Sequence, residues 1–280
     1  MRPTGRRSRD GLSHVLRSRG SPAMRMALAR GDNAIATQAF QQATQAAPDS
    51  YFSARARDII EGRAPFAPPS THRFQFDDAA EVAQAETWLR QTFGIAQEGA
   101  LWMLAPALQA DPRVIRGTEL WAVGAYDEAR SEFDDLLRTT REDALASYQL
   151  AIYWRQIGAY NASIQAAANV IEAAGVGTLA APPFIARMRY PAYYLDLVQD
   201  QAARYGFDPL LLFALIRHES LFDANATAAA GEKGLTQVIP STGEYIAQQL
   251  AWPDYQHSVL FRPYASIAFG AFYLGEQFAQ

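Results

Sequence analysis

Cysteine is absent from the 280 residues, which excludes disulfides and thiolate metal sites and leaves the redox compartment open. Lysine is nearly absent: of the 25 basic residues only Lys233 is a lysine, and the rest are arginines. That bias is compositional rather than functional, and no nucleic-acid partner is expected. Long apolar runs are also missing. The longest, Leu210–Ile216, is far below the roughly 20 residues that cross a bilayer, so no transmembrane helix is expected. What remains is a globular composition, 49% hydrophobic and 19% charged with a net charge of −4. The length suits two domains with a sizeable core.

Charge is unevenly spread. Residues 1–30 carry eight arginines and one aspartate, while the remainder is acidic. Residues 1–24 read as a basic, flexible segment, either an arm for phosphate or membrane surfaces or simply a frayed terminus. No apolar stretch follows it as a secretory signal would require. From Arg25 onward the periodicity is helical. Leu28, Ile35, Phe40 and Ala43 share a face, Gly31-Asp32 interrupts, and Pro48-Asp49 starts the next element. Ala64–Thr71 is too proline-rich for a helix or central strand. Asp77 or Asp78 caps a helix reaching about Phe93 with Val82, Trp88 and Leu89 on its apolar face, and Leu101–Leu108 and Arg113–Trp121 continue the helical theme. Gly124-Ala-Tyr126 then recurs as Gly158-Ala-Tyr160, 34 residues on, with Leu136 and Leu137 answered by Val170 and Ile171. This period resembles the tetratricopeptide helical hairpin and predicts an α-solenoid over residues 25–183, ending near Ala180-Ala-Pro-Pro183. Its role is either a spacer or a concave surface for a partner or long polymer.

The segment Tyr205–Ile239 carries the chemistry. Asp208 and Pro209 form a strong helix start. Leu210 to Ile216 is apolar on every side, which predicts a helix buried all round. Arg217, His218, Glu219 and Ser220 end it abruptly. Burial and the C-terminal end of the helix dipole both favour the protonated form of Glu219, as a general acid near neutral pH requires. His218 points about 100° away from Glu219 and is not expected to face it. No second histidine or cysteine stands at ligand spacing, so no metal is expected. Asp223 is the alternative second carboxylate. Lys233 reads as a loop residue. Gly231 and Gly234 permit tight turns and close approach of a ligand, and Gln237 offers an amide donor and acceptor that by itself reads as a turn amide. Ser241 and Glu244 fit a capping box. Phe269, Phe272, Tyr273 and Phe278 read as core.

The run Ile216-Arg-His-Glu-Ser-Leu-Phe222, then Gly231-Glu-Lys-Gly-Leu-Thr-Gln237, then Pro240-Ser-Thr242 resembles the catalytic domain of soluble lytic transglycosylases. Tyr190-Pro191 upstream, and Arg262–Ile267 and Gly270–Leu274 downstream, fall in the family's order, so the resemblance covers about residues 186–280. It implies an all-α chain in which the helical superhelix precedes a lysozyme-like domain over residues 184–280. The family's Ala-Tyr-Asn motif would lie beyond Gln280, so the resemblance implies a domain truncated at its C-terminal end. It also implies cleavage of the β-1,4 bond between N-acetylmuramic acid and N-acetylglucosamine by the single acid Glu219, leaving a 1,6-anhydro end and calling for no organic cofactor. Ser220, Gly234, Leu235 and Gln237 would bind the peptidoglycan glycan strand. The setting would be periplasmic, with cell-wall synthesis proteins as further partners of the repeats. The alternatives are a lysozyme-type hydrolase on the same domain and a non-catalytic repeat protein that binds glycan. The sequence departs from the family pattern at Ala228 (for Ser), Thr236 and Ile239 (each for Met) and Ser266 (for Asn).

Overall fold

Helix punctuation in the sequence becomes backbone geometry at one position after another in the computed structural model, which describes residues 33–46, 50–63 and 73–279. The basic segment 1–24, Leu28, the Gly31-Asp32 break, Pro48-Asp49 and the Ala64–Thr71 loop lie outside the described residues. Thirteen α-helices and no extended strands occur among those residues, and no described helix is long and apolar enough to cross a membrane. The chain divides into two units. One takes the described residues up to 63 with Gly177–Leu179, and the other takes Arg73–Val176 and the chain from Ala180 on.

In the smaller unit, α1 (Asn33–Ala46) pairs with α2 (Tyr51–Ile60). Ser50 caps α2 by accepting from the Ser53 amide, and the Ser53 hydroxyl donates to the Ala43 carbonyl at 2.6 Å, locking the pair over Phe40 and Ala56.

The larger unit opens with α3 (Asp78–Phe93), whose N-cap Asp77 accepts from the Ala80 amide as expected; Leu89 is buried, and Val82 and Trp88 pack against the same core. Residues 101–105 are not helical, contrary to expectation; helix resumes only at α4 (Pro106–Gln109). The cause is a pair of buried polar side chains that take over the backbone groups. Glu86 Oε1 accepts from the amides of Leu101 and Trp102 at 2.8 and 3.0 Å, and Gln149 bonds Ala105 N and Leu101 O.

Helices α5 (Pro112–Ala122) and α6 (Tyr126–Thr139) form one hairpin, and α7 (Ala144–Gln156) and α8 (Tyr160–Ala173) the next. The 34-residue repeat is visible as two nearly identical turns. Gly124 and Gly158 have φ of +83° and +78°, and Ala125 and Ala159 follow at −81°/66° and −80°/64°. Their amides each donate 2.9 Å back, to Leu120 O and Trp154 O. Positive φ is why glycine stands at both turns. Leu136, Leu137, Val170 and Ile171 are all buried, and Phe133 packs on Trp154 with centroids 5.2 Å apart, stacking one hairpin on the other.

After α9 (Pro183–Arg189) come α10 (Leu195–Tyr205), α11 (Pro209–Ser220), α12 (Pro240–Gln249) and α13 (Pro263–Ala279). A second core gathers Val198, Leu212, Phe213, Ile216, Phe222, Leu235, Ile267 and Ala271, together with Ile164 from α8. A smaller third joins Val238, Ile246, Leu260 and Phe269. Helix α12 begins at Pro240 with Ile239 as N-cap and no side-chain cap, so the Ser241–Glu244 capping box does not form. Proline at the first position already dispenses with one orphan amide. Of the aromatics read as core on α13, Phe269 is buried and Phe272 partly so, but Tyr273 and Phe278 are 45% and 63% exposed.

Candidate active site

Helix α11 starts as expected, with Asp208 Oδ1 accepting from the Leu210 amide at 2.8 Å and Pro209 at the first position. It is not buried all round. Leu212, Phe213 and Ile216 enter the core, whereas Leu210, Leu211 and Ala214 are exposed. One side of the helix faces a cavity of about 700 Å³, lined on this helix by Leu210, Phe213, Ala214 and Arg217. Apolar residues thus serve two surfaces, one packed and one open.

The helix ends at Ser220, and the chain reverses through two consecutive left-handed residues, Leu221 (φ +49°) and Phe222 (φ +62°). Such conformations cost of the order of 1–3 kcal/mol each for non-glycine residues and persist only where packing over-determines them. Here Phe222 is buried in the second core, and the Leu221 amide donates to Arg217 O at 3.1 Å. The reversal leaves Glu219 on the surface. Its side chain retains 35% exposure, so the deep burial expected from the apolar run is absent. His218 Nδ1 lies 3.6 Å from Glu219 Oε1, correcting the expectation that the two would not meet. The 100° step separates only their Cβ atoms, and the lengths of the two side chains bring their polar ends together. No arginine or lysine pairs with Glu219 among the described residues.

Ser220 is buried, its Oγ within hydrogen-bond distance of Ile216 O (3.1 Å) and Leu235 O (2.9 Å). Its own carbonyl accepts from Asn161 Nδ2 of α8 at 3.4 Å. The end of α11 is therefore held between the glycine loop and the helical hairpins. Asp223, the alternative second carboxylate, is buried and committed elsewhere. Its Oδ2 meets Arg130 Nε of α6 at 2.6 Å, its Oδ1 meets Arg130 Nη2 at 3.1 Å, and Oδ1 also accepts from Asn225 N. Burial pulls the Arg130 guanidinium down, but the hydrogen bond and charge of Asp223 outweigh it and leave it raised.

The loop after α11 returns beside itself through bridges Thr227–Lys233 and Lys233–Val238. Lys233 lies over the Phe261 ring at 4.6 Å, in keeping with a loop residue. Gly234, at φ +75°, sits so close to the Leu260 carbonyl that a Cβ would lie 2.0 Å from its oxygen. Gly234 and Leu235 are buried, so of the four residues predicted to bind substrate only Gln237 is partly open to solvent. Its Nε2 donates to Gly234 O (2.8 Å) and Ala226 O (3.2 Å), and its backbone is left-handed (φ +47°). The departures Thr236 and Ser266 meet one another. Thr236 Oγ1 donates to Ser266 O at 2.9 Å, and the Thr236 amide donates to Ser266 Oγ at 3.1 Å. Sequence reasoning missed Arg130 and Asn161; neither stands in a motif, and both lie in helices 59 or more residues before their partners. No group of three or more potential metal ligands occurs among the described residues.

A helix that ends in a surface carboxylate, locked to a glycine loop inside an all-helical domain, is the architecture of residues 196–280. Those residues match the family model described as Transglycosylase SLT domain. The membrane-bound lytic murein transglycosylase C of Edwardsiella ictaluri is 34% identical over 83 residues, and its namesake from Actinobacillus pleuropneumoniae is 36% identical over 85. Each of these matches covers 29% of this chain and 23% of the relative. Among solved structures, the 70 kDa soluble lytic transglycosylase of Escherichia coli superposes with a TM-score of 0.63 at 21% identity, covering 91% of this chain and 35% of that one. An inactive variant of the lytic transglycosylase Slt of Pseudomonas aeruginosa gives 0.56 at 18%, covering 91% and 41%. The chain thus spans about a quarter of the length of the curated relatives it matches, and the structural likeness establishes a shared all-helical fold.

Proposed function

We propose that this chain supplies the acid-bearing part of a peptidoglycan lytic transglycosylase, with Glu219 as the single catalytic residue. The observation that carries this reading is the contrast between the two carboxylates at the end of α11. Asp223 is neutralised by Arg130 and closed to solvent, whereas Glu219 is accessible and free of any arginine or lysine partner among the described residues. One available carboxylate does not fit a two-carboxylate glycosidase and fits a substrate-assisted one. Glu219 would donate its proton to the oxygen leaving the muramic anomeric carbon as that bond breaks. The substrate's N-acetyl group would stabilise the cationic carbon. The carboxylate would then take the proton of the muramic 6-hydroxyl as its oxygen closes the 1,6-anhydro ring. Attack within one sugar gains from proximity and needs no bound water. Because Glu219 is partly exposed in the unliganded chain, its shielding from water would come from the glycan laid over it.

Ser220 acts in this reading as a positioning residue, with Gly234 and Leu235 forming the buried frame and Gln237 facing the glycan. We read residues 184–280 as the catalytic domain and 25–183 as the tetratricopeptide-like part that frames it and offers a surface to cell-wall synthesis partners, in a periplasmic setting. Mass analysis of products from purified sacculi tests the proposal. Anhydro-ended fragments, lighter by one water than hydrolysed ones, are expected; reducing ends alone would make the enzyme a hydrolase.

A further inference from the structure

The cavity along α11 lies on the far side of that helix from Glu219. Arg217 lines it, and Glu219, two residues on, stands about 200° further round the helix. Its volume of about 700 Å³ is within the range of small-ligand sites. Four guanidinium groups line it, those of Arg73, Arg155, Arg187 and Arg217, against Asp78 as the lining carboxylate. Asp78 lies 3.4 Å from Arg155 and 3.7 Å from Arg187, and Glu81 also pairs with Arg187. Arg217 and Arg73 have no carboxylate partner among the described residues. Arg217 Nε donates to the Arg189 carbonyl at 3.1 Å, and its guanidinium lies 4.0 Å over the Tyr190 ring. Arg73 Nε donates to the Gln75 carbonyl at 3.4 Å.

A half-buried guanidinium beside another arginine, with no counter-charge, is a costly arrangement unless a ligand completes it. Burial, and repulsion from Arg189, pull the Arg217 guanidinium below its ordinary range, while the charge of Tyr190 works the other way. The rings of Phe76, Phe184 and Tyr190 lie 3.7, 5.7 and 4.0 Å from the guanidinium carbons of Arg187, Arg155 and Arg217. Asp78 and Glu81 engage the first two, which leaves the edges of Arg217 and Arg73 for a planar, bidentate acceptor. Aromatic and aliphatic walls around those edges suit a carboxylate attached to a small apolar body.

We propose that this cavity is a second binding site, distinct from the glycan-cleaving one, that takes a short peptide through a free carboxylate seated on Arg217 and Arg73. The choice of a peptide rests on the proposed function, because peptidoglycan carries peptide stems with free carboxylates; the preference for a carboxylate rests on the cavity alone.

Titration of the intact chain with an acetylated tetra-alanine peptide, followed by calorimetry, tests this. The expected result is saturable binding that weakens about tenfold or more when the peptide carboxylate is converted to an amide, and likewise in Arg217→Gln. Glu219→Gln should bind as the parent does. Arg73→Gln, at an exposed position, is expected to weaken binding as well and serves if Arg217→Gln fails to fold. Equal affinity for acid and amide, parent-like binding in both arginine variants, or loss of binding in Glu219→Gln would each overturn the proposal. Because the readout is peptide binding, it stands or falls whether or not the chain cleaves glycan.

Discussion

Arg130 and Asp223, 93 residues apart in the chain, form a two-pronged ion pair at 2.6 and 3.1 Å that fastens the loop after Glu219 to helix α6. With only 4% of the Asp223 side chain exposed, removing the arginine strands a buried carboxylate. Arg130→Met should destabilise the larger unit by about 3 kcal/mol, reading from the cost of breaking buried pairs. Adding Asp223→Asn should recover part of that loss. Urea unfolding of the two variants measures both, and parent-like stability in Arg130→Met would show the pair to be passive.

The Thr236–Ser266 contact is equally specific. Thr236→Val keeps the shape but removes the hydroxyl that Ser266 O accepts from in a fully closed site. A loss of about 1 kcal/mol is expected in denaturant unfolding, the net worth of one buried hydrogen bond, since Ser266 O stays in the helical ladder of α13.

Two glycines in one loop should respond differently to alanine. At Gly234 the new Cβ would meet backbone at 2.0 Å and φ is +75°, so nothing nearby yields cheaply. At Gly231, φ is +83° but the nearest atom is Pro240 Cγ at 3.4 Å. Gly231→Ala should cost about 1 kcal/mol and Gly234→Ala at least about 3 kcal/mol, from strain alone against strain plus overpacking. Thermal melts of the pair give the ranking.

Asp111 predicts a pH dependence. It caps α5 through the Arg113 amide at 2.8 Å, and its carboxylate faces the Arg113 guanidinium at 2.7 Å. The Arg113 hydrogen bond holds its carboxyl below the ordinary range, only partly opposed by burial. A lowered folded-state value means that the contribution is complete above about pH 4 and is lost as pH falls through that lowered value. Asp111→Asn, which keeps a capping oxygen, should cost about 0.5–1 kcal/mol at pH 7 and less at about pH 3, below the ordinary aspartate value. Unfolding at the two pH values checks the sign.

Much of this was legible from local chemistry. Asp208-Pro209, Asp77 and the Gly-Ala-Tyr pair each act within four residues of themselves, so their spacing alone announces helix starts and turns. The Arg130–Asp223 and Thr236–Ser266 contacts link residues whose separation carries no period, and only packing reveals them. The apolar run of α11 misled in a different way. Hydrophobicity on every side predicts burial on every side, but a helix lining a cavity carries apolar residues on its open face too. The position of Glu219 followed from the same error: the helix end carries buried Ile216 and Ser220 on one side and exposed His218 and Glu219 on the other. Tyr273 and Phe278 share the periodicity of α13 with buried Phe269, and helical spacing alone does not say which face is covered.

The most direct test of the central claim is turnover of purified sacculi by Glu219→Gln. The account predicts an unchanged melting temperature, because the side chain is partly exposed and unpaired with any arginine or lysine, together with loss of anhydro-ended product. Release of anhydro ends by Glu219→Gln at a rate close to the parent's would contradict it.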